Sequence, residues 1–168
     1  MSQLSQSRSL LNLVIAAAVL IGVIAATRTV WAEPVASASA AGDAGATPFP
    51  NDDLYKAFHG RDGVHRVATR LVDLSAADPR ISDVFKGQDL PHLKVMLREQ
   101  FCYILDGPCQ YTGKDMHTAH KDMGLQMSDF NALVENLEKA MDQEHVPFRA
   151  QNKLLAKLAP MERTTVVR

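Results

Sequence analysis

The amino-acid sequence predicts an all-α domain, and three observations carry this prediction. From about residue 52 onward, apolar residues recur at intervals of three and four, which is the period of a helix with one buried face. No segment of strand length alternates between apolar and polar residues, as a half-buried strand does. Gly107-Pro108 and Gly113 interrupt the helical pattern, so the domain also contains an irregular bend.

Residues 1–32 are predicted to be a secretory signal peptide. Arg8 precedes an apolar run at 10–26, and Val30-Trp31-Ala32 has the small-x-small pattern of a cleavage site. The apolar run is also at the short end of what crosses a bilayer, so an uncleaved membrane anchor is the alternative. Both interpretations predict a domain that is periplasmic, secreted or held at the outer face of an inner membrane.

Residues 33–51 are predicted to be a flexible linker, and residues 52–168 a single domain. The linker is rich in Ala, Ser, Gly, Thr and Pro, which bury too little apolar surface to offset the entropy of ordering the chain. The remainder is long enough for one core and too short for two. The chain has 18 basic and 19 acidic side chains, so its charge predicts neither nucleic-acid binding nor a polybasic membrane patch.

The domain is predicted to contain seven helices, with bounds set by apolar stripes, capping residues and breakers. Asp78-Pro79 can cap and begin a short helix, and Pro147 is tolerated in a first helical turn. The predicted helices lie near Leu54 and at 62–77, 79–85, 89–105, 117–123, 128–144 and 148–159.

The bend leads to a candidate metal-ligand histidine. The string DGP at 106–108 is followed by YTGKDMHTAH at 111–120, which contains His117 and His120. An imidazole nitrogen is a common ligand of haem iron. The two histidines are one helical turn apart and could also begin a zinc site, but no third ligand follows at a recognisable spacing.

The bend and its surroundings resemble the group I truncated haemoglobins, small globins in which two antiparallel helix pairs stack over haem. The likeness extends over about 52–160. The matching residues in the hinge are Gly107, Pro108, Tyr111, Thr112, Gly113 and Met116, with the spacing to His120. Those elsewhere are Leu54-Tyr55 with Gly60, residues 77–81 with Phe85, Leu93-Lys94, Gly124-Leu125 with Phe130, and Ala159-Pro160.

The resemblance implies that haem b is bound through His120 as the proximal iron ligand. The second ring nitrogen then donates a hydrogen bond that fixes the ring. Phe85 and Tyr111 belong to the implied haem-binding residues, and Lys114 and His117 are placed near the propionates, with solvated surface as their alternative. The chain has no Cys-x-x-Cys-His string, so covalent haem of the cytochrome c type is not indicated.

The distal face implied by the resemblance is unusual. Many members carry a tyrosine in the helix after the first segment and a polar side chain on the long helix. Here Val72 stands at the tyrosine position, and Leu93 and Leu97 stand at the haem-facing positions. Bound oxygen carries partial negative charge, and an apolar pocket gives it no hydrogen-bond donor, so we expect weak oxygen stabilisation.

Three polar residues of the long helix remain as distal candidates: His92, Gln100 and Tyr103. His92 is considered as a sixth iron ligand, although it precedes Leu93 by one position and a one-residue shift turns a side chain by about 100°. Gln100, one turn past Leu97, is considered as a hydrogen-bond donor. For both, an exposed polar side chain is the alternative.

The two cysteines, Cys102 and Cys109, lie on the long helix and in the bend. A disulfide between them suits an oxidising compartment if the short chain turns back far enough. Otherwise Cys102 is a small buried residue.

Three functions are open from the sequence. The first is reversible binding of a diatomic gas, namely oxygen, nitric oxide or carbon monoxide, and the apolar distal face favours it. The second is an enzyme, either a nitric oxide dioxygenase or peroxidase-like, which requires an electron donor or oxidant that the sequence does not identify. The third is a haem-free interaction module. Membrane contact is expected only if the N-terminal segment is uncleaved.

Overall fold

The computed structural model describes residues 43–166, and every regular element within this range is helical, as predicted. The predicted signal or anchor segment and the first part of the linker lie outside the described residues. Within the described range, no helix is long and apolar enough to cross a membrane. The helices are α1 Asp53–Ala57, α2 Gly60–Ala77, α3 Ser82–Phe85, α4 Leu90–Ile104, α5 Met116–His120, α6 Met127–Gln143, α7 Phe148–Leu158 and α8 Glu162–Thr165, with a 3-10 turn at Ala159–Met161.

The core lies between α2, α4, α6 and α7. Helix α2 packs against α4 and also against α6, and α6 packs against α7 beyond the connection at 144–147. The apolar stripes of all four helices meet in one buried cluster, as their periodicity predicts. Full burial of such a side chain stabilises the fold by roughly 1.5–3 kcal/mol. The largest members without solvent contact are Phe58, Val67, Ile104, Leu105, Met141 and Leu154.

The junction between α2 and α3 is held by Asp78. Its carboxylate accepts hydrogen bonds from the backbone N–H of Arg80 at 3.0 Å and from Nδ2 of the buried Asn136 at 3.0 Å. The hydrogen bonds from Arg80, followed by that from Asn136, hold the pKa of Asp78 well below its usual range. Because Asn136 belongs to α6, its hydrogen bond connects the α2–α3 junction to α6.

Glu144, which follows α6, connects this helix end to α2 and to the turn between α1 and α2. Its buried carboxylate accepts hydrogen bonds from the Nε–H groups of Arg66 and Arg70 on α2, and its backbone carbonyl accepts one from Nε2 of His59 at 3.0 Å. His59 has a φ of 62°, in the left-handed region that histidine adopts more readily than most residues. The sequence offered no role for this histidine; the structure shows that it joins the α1–α2 turn to the end of α6.

Acid should weaken the interactions of Glu144 with Arg66 and Arg70. Burial acts to raise the pKa of Glu144, but the hydrogen bonds and charges of Arg66 and Arg70 outweigh it, so the pKa lies below the ordinary 4.5. The stability that Glu144 contributes is therefore complete above about pH 4.5 and is lost as the pH falls through the lower folded value.

We expect Glu144→Gln to lower the free energy of unfolding at pH 7 by about 1 kcal/mol, because both arginines remain half exposed to water. The difference from wild type should shrink as the pH falls below 4.5. Urea unfolding followed by circular dichroism from pH 7 to pH 3 measures this. The exposed Glu138→Gln on α6 is the control. A difference that stays constant over the pH range would contradict the role of Glu144.

The ordered part of the chain includes residues that composition assigned to the linker. Within 43–51, Ala44 is only 2 % exposed and belongs to the main core, and Phe49 packs against that core. The backbone N–H of Phe49 donates to the carbonyl of Ile104 at 2.9 Å. In place of the expected tether, residues 43–51 are a docked N-terminal arm, so the packed structure begins before the predicted boundary between 51 and 52.

Candidate haem site

His120 ends α5, a five-residue helix whose first turn is capped by Asp115. The Oδ1 atom of Asp115 accepts a hydrogen bond from the backbone N–H of Thr118 at 2.9 Å. The Nδ1 atom of His120 lies 2.7 Å from the carbonyl oxygen of Met116. A carbonyl only accepts hydrogen bonds, so Nδ1 is the donor of this contact and, in the neutral ring, Nε2 keeps a free lone pair. This tautomer and ring orientation are those that a proximal haem ligand needs.

The donor set around His120 suits haem better than a bare metal ion. A globin supplies its haem iron with one proximal imidazole, because the porphyrin itself would supply four nitrogen ligands. His117 lies one turn earlier and is exposed. Between residues 43 and 166, no group of three or more His, Cys, Asp or Glu is arranged to hold a metal ion. The zinc alternative therefore finds no further ligand in that range.

A disulfide joins the end of α4 to the bend that leads to His120. Cys102 and Cys109 are bonded, with their Cα atoms 5.9 Å apart, so the pairing that the sequence left open is present. The backbone N–H of Gly107 donates to the carbonyl of Cys102 at 2.8 Å. A Cβ at residue 107 would lie 2.6 Å from the Tyr55 ring and 2.7 Å from Sγ of Cys102. The chain can turn back here because residue 107 has no side chain.

Two hydrogen-bonded contacts also tie α4 to the residues before His120. The carboxylate of Glu99 accepts from the N–H of Thr112 at 3.1 Å and from its hydroxyl at 2.7 Å. At the next residue, Nε2 of the buried Gln100 lies 3.2 Å from the sulfur of Met116. Met116 is also the residue whose carbonyl orients the His120 ring. The position of α5 therefore depends on side chains of α4.

The buried side chain of Tyr111 stabilises the bend. Its ring is 4 % exposed, and its hydroxyl donates to the carbonyl of Lys114 at 2.7 Å. A Cβ at Gly113 would overlap the Tyr111 ring, so only glycine fits between the ring and the following turn. Burial, with the charges of Glu99 and Asp115, raises the pKa of Tyr111, and the hydroxyl stays a donor at neutral pH. The contacts of Tyr111 are structural ones within the hinge.

Gln100 differs from the role that the sequence suggested. Its side chain is buried, and Nε2 donates to the carbonyl of Ala44 at 2.8 Å as well as approaching Met116. A second methionine sulfur, that of Met161, lies 3.7 Å away. These N–H groups are used within the protein, so the proposed donor to a distal ligand is instead a link between the N-terminal arm, α4 and α5.

The predicted distal residues occupy different environments. Val72 has no exposed surface and lies outside the main core cluster, whereas Leu93 and Leu97 are half-buried on α4. Of these two, Leu97 packs against the main core. Phe85, at the end of α3, is half-buried, and His92 is exposed in the first turn of α4. Contact of these residues with haem remains a prediction.

A second set of apolar side chains is half-buried and does not pack against the main core. They lie on α3, on α4, in the α5–α6 connection and on α6. Incompletely covered apolar side chains of this kind leave surface that a ligand could cover. The set includes Val84, Phe85, Leu93, Val95, Met96, Met123, Leu125, Phe130 and Val134.

The cations predicted to face the haem propionates are both on the surface. Lys114 and His117 are exposed, one in the bend and one in the first turn of α5. Their exposure agrees with a contact to solvent-facing carboxylates and with simple solvation. Their role remains a prediction.

The helical architecture and a tautomer-fixed histidine after a hinge are features of a globin, and comparison with known proteins identifies which kind. The model of the bacterial-like globin family matches residues 53–167. A group 1 truncated haemoglobin of Tetrahymena thermophila is 32% identical over 84 residues, covering 50% of this chain and 69% of that protein. One of Chlamydomonas moewusii is 33% identical over 119 residues, covering 65% and 68%.

Comparison with solved structures also finds truncated haemoglobins. The crystal structure of the truncated haemoglobin from Tetrahymena pyriformis in its Fe(III) form aligns with a TM-score of 0.65 at 25% identity. The alignment covers 68% of this chain and 98% of that one. The chain belongs to the bacterial-like globin family and, within it, to the group 1 truncated haemoglobins. This confirms the predicted fold class, and membership of a globin family implies a haem iron cofactor.

Replacing Gln100 separates its two suggested roles. We expect Gln100→Leu to lower the free energy of unfolding by about 2 kcal/mol, because the buried carbonyl of Ala44 loses its donor. Urea unfolding of the haem-free chain measures this, with the exposed Gln110→Leu as the control. Unchanged stability combined with faster oxygen release from the haem-loaded protein would instead assign Gln100 to the distal pocket.

Proposed function

We propose that the protein binds haem b non-covalently through Nε2 of His120 and carries a diatomic gas on a mostly apolar distal face. The observation that carries this proposal is the hydrogen bond from Nδ1 of His120 to the carbonyl of Met116. It leaves the lone pair of Nε2 available to coordinate iron, and it restricts rotation of the ring. When bound, haem supplies the iron position that a gas molecule occupies.

Residues of this chain that would hold the haem follow from the same assignment. Phe85, Leu93 and Leu97 are half-buried apolar side chains suited to contact a porphyrin face, and Val72 would stand behind them. Lys114 and His117 are proposed partners of the propionates because a positive charge there favours the carboxylates. The chain has no Cys-x-x-Cys-His string, so covalent attachment of the cytochrome c kind is not indicated.

The proposed gas ligand is one that tolerates a pocket poor in donors. Val72, Leu93 and Leu97 offer no hydrogen bond, and the amide of Gln100 is used by Ala44. Oxygen gains more from a donor than carbon monoxide does, because bound oxygen carries more negative charge. We therefore propose reversible gas binding with fast oxygen release, the physiological gas being oxygen, nitric oxide or carbon monoxide.

Removal of the proposed ligand tests haem binding. We expect His120→Gly to weaken haem binding by more than about tenfold and to change the Soret spectrum, because the iron loses its protein ligand. Added imidazole should restore the spectrum by filling the space left by the side chain. The exposed His145→Gly, at a position not assigned to haem, is the control. A His120→Gly protein with the wild-type spectrum in the absence of imidazole would exclude this ligand.

We also propose that the mature domain is periplasmic or secreted. The sequence of residues 1–32 supports this, and so does the Cys102–Cys109 disulfide, because such bonds persist in oxidising compartments.

The mature chain is expected to begin at Glu33, and mass spectrometry of protein from a periplasmic fraction measures its N-terminus. Ala32→Arg should block cleavage, because the exit position requires a small residue. Recovery of the uncleaved wild-type chain from the membrane fraction would favour the anchor, and recovery from the cytosol would exclude both interpretations.

A further inference from the structure

A cleft separate from the proposed haem site lies where α1, α2, α4 and the bend meet. Its volume is about 390 Å³, within the range of small-molecule sites. None of its lining residues is among those assigned above to haem. They include Tyr55, Arg61, Arg98, Glu99, Cys102 and Cys109.

The disulfide forms part of the wall of this cleft, and its two sulfurs differ in access. Cys102 is 2 % exposed, whereas Cys109 is only half-buried. Thiol–disulfide exchange requires a thiolate to reach one sulfur while the other leaves. Cys109 is therefore the sulfur that an external thiolate can attack, and Cys102 is the leaving group.

The charges around the cleft favour an anion. Arg61 is exposed and forms no ion pair with a carboxylate of residues 43–166. Arg98 has Glu99 as its neighbour at 4.0 Å, at the limit of an ion pair, and the other oxygen of Glu99 accepts both hydrogen bonds from Thr112. Two guanidinium groups and one carboxylate leave the cleft net positive. Such a site concentrates anionic reactants.

We propose that this cleft recognises a small thiol that carries carboxylate groups, and that this thiol reduces the Cys102–Cys109 disulfide. Its thiolate attacks Sγ of Cys109, the bond between the two cysteines breaks, and Cys102 leaves as a thiolate that takes up a proton. A second molecule of the thiol attacks the mixed disulfide and releases Cys109. Two electrons pass to the protein, and two thiol molecules are oxidised to one disulfide.

Reduction of the Cys102–Cys109 disulfide affects the bend that leads to His120. The disulfide is one of three side-chain links described above from α4 to the bend and α5, and reduction leaves the Glu99–Thr112 and Gln100–Met116 contacts in place. Reduction would thus loosen the hinge before His120 without removing its other supports. The exchange reaction itself does not depend on haem binding and can be followed in the haem-free chain.

Thiols of different charge test the cleft. Glutathione is the anionic probe, 2-mercaptoethanol the neutral one and cysteamine the cationic one, with rates compared per thiolate concentration in the full chain. We expect glutathione to react at least about fivefold faster than 2-mercaptoethanol, and cysteamine to be slowest. In Arg61→Gln/Arg98→Gln, the advantage of glutathione should fall to about twofold or less, while 2-mercaptoethanol is affected little.

Arg149→Gln/Arg163→Gln is the matched control, because it removes two exposed positive charges that do not line the cleft. Equal loss in this control would show that overall charge, and not the cleft, sets the rate, and equal wild-type rates for all three thiols would also overturn the proposal. If the double cleft variant does not fold, Arg61→Gln alone serves the same comparison. Mass spectrometry of the trapped intermediate should find glutathione on Cys109; an adduct on Cys102 would overturn the assigned direction of attack.

Discussion

The buried amide of Gln100 is the contact on which the position of the proximal segment depends. One nitrogen atom joins the carbonyl of Ala44, on the N-terminal arm, to the sulfur of Met116, at the start of α5. A buried amide left without partners costs roughly 1–3 kcal/mol, so the arm, α4 and α5 are stabilised in one arrangement. The orientation of His120 follows, because the carbonyl of Met116 holds its ring.

Helix α5 could not keep this geometry alone. A helix of five residues is far shorter than those that are stable in water, so its conformation must come from tertiary contacts and capping. Asp115 caps its first turn, and three side-chain links of different chemistry hold the bend and α5 to α4: a covalent bond at Cys102, a carboxylate at Glu99 and an amide at Gln100. Loss of one link leaves two.

The apolar character of the proposed distal face is related to how α4 uses its polar side chains. Lys94 pairs with Asp73 of α2 at 2.6 Å, and Glu99 and Gln100 hold the bend and the arm. These groups serve the packing of α4 against its neighbours. The positions of α4 that are predicted to face haem hold Leu93 and Leu97. A donor to bound oxygen would therefore have to come from elsewhere, which supports the proposal of weak oxygen stabilisation.

Much of this protein could be predicted from its sequence. Helix order and most bounds followed from apolar period, caps and breakers, which act between residues close in the chain. Two bounds were wrong: α3 begins at Ser82 and not at Pro79, and α5 ends at His120 and not at Met123. The bend with Gly107 and Gly113 was predicted for the same reason, and the spacing to His120 indicated the family. The short helix α8 was not predicted, since four residues carry too weak a periodic signal.

The sequence by itself determined the helical class, the hinge and the histidine behind it, because each depends on local spacing. Only the tertiary structure decided that residues 43–51 dock on the domain, that Cys102 meets Cys109, that Gln100 faces Ala44 and that His59 bonds Glu144. Composition favoured a tether because it reflects only the average tendency of residue types to be buried. Ala44 is instead held by a hydrogen bond to its carbonyl and by close packing in the core. Contacts between residues far apart in the chain depend on how the helices are placed, and no local pattern encodes that placement.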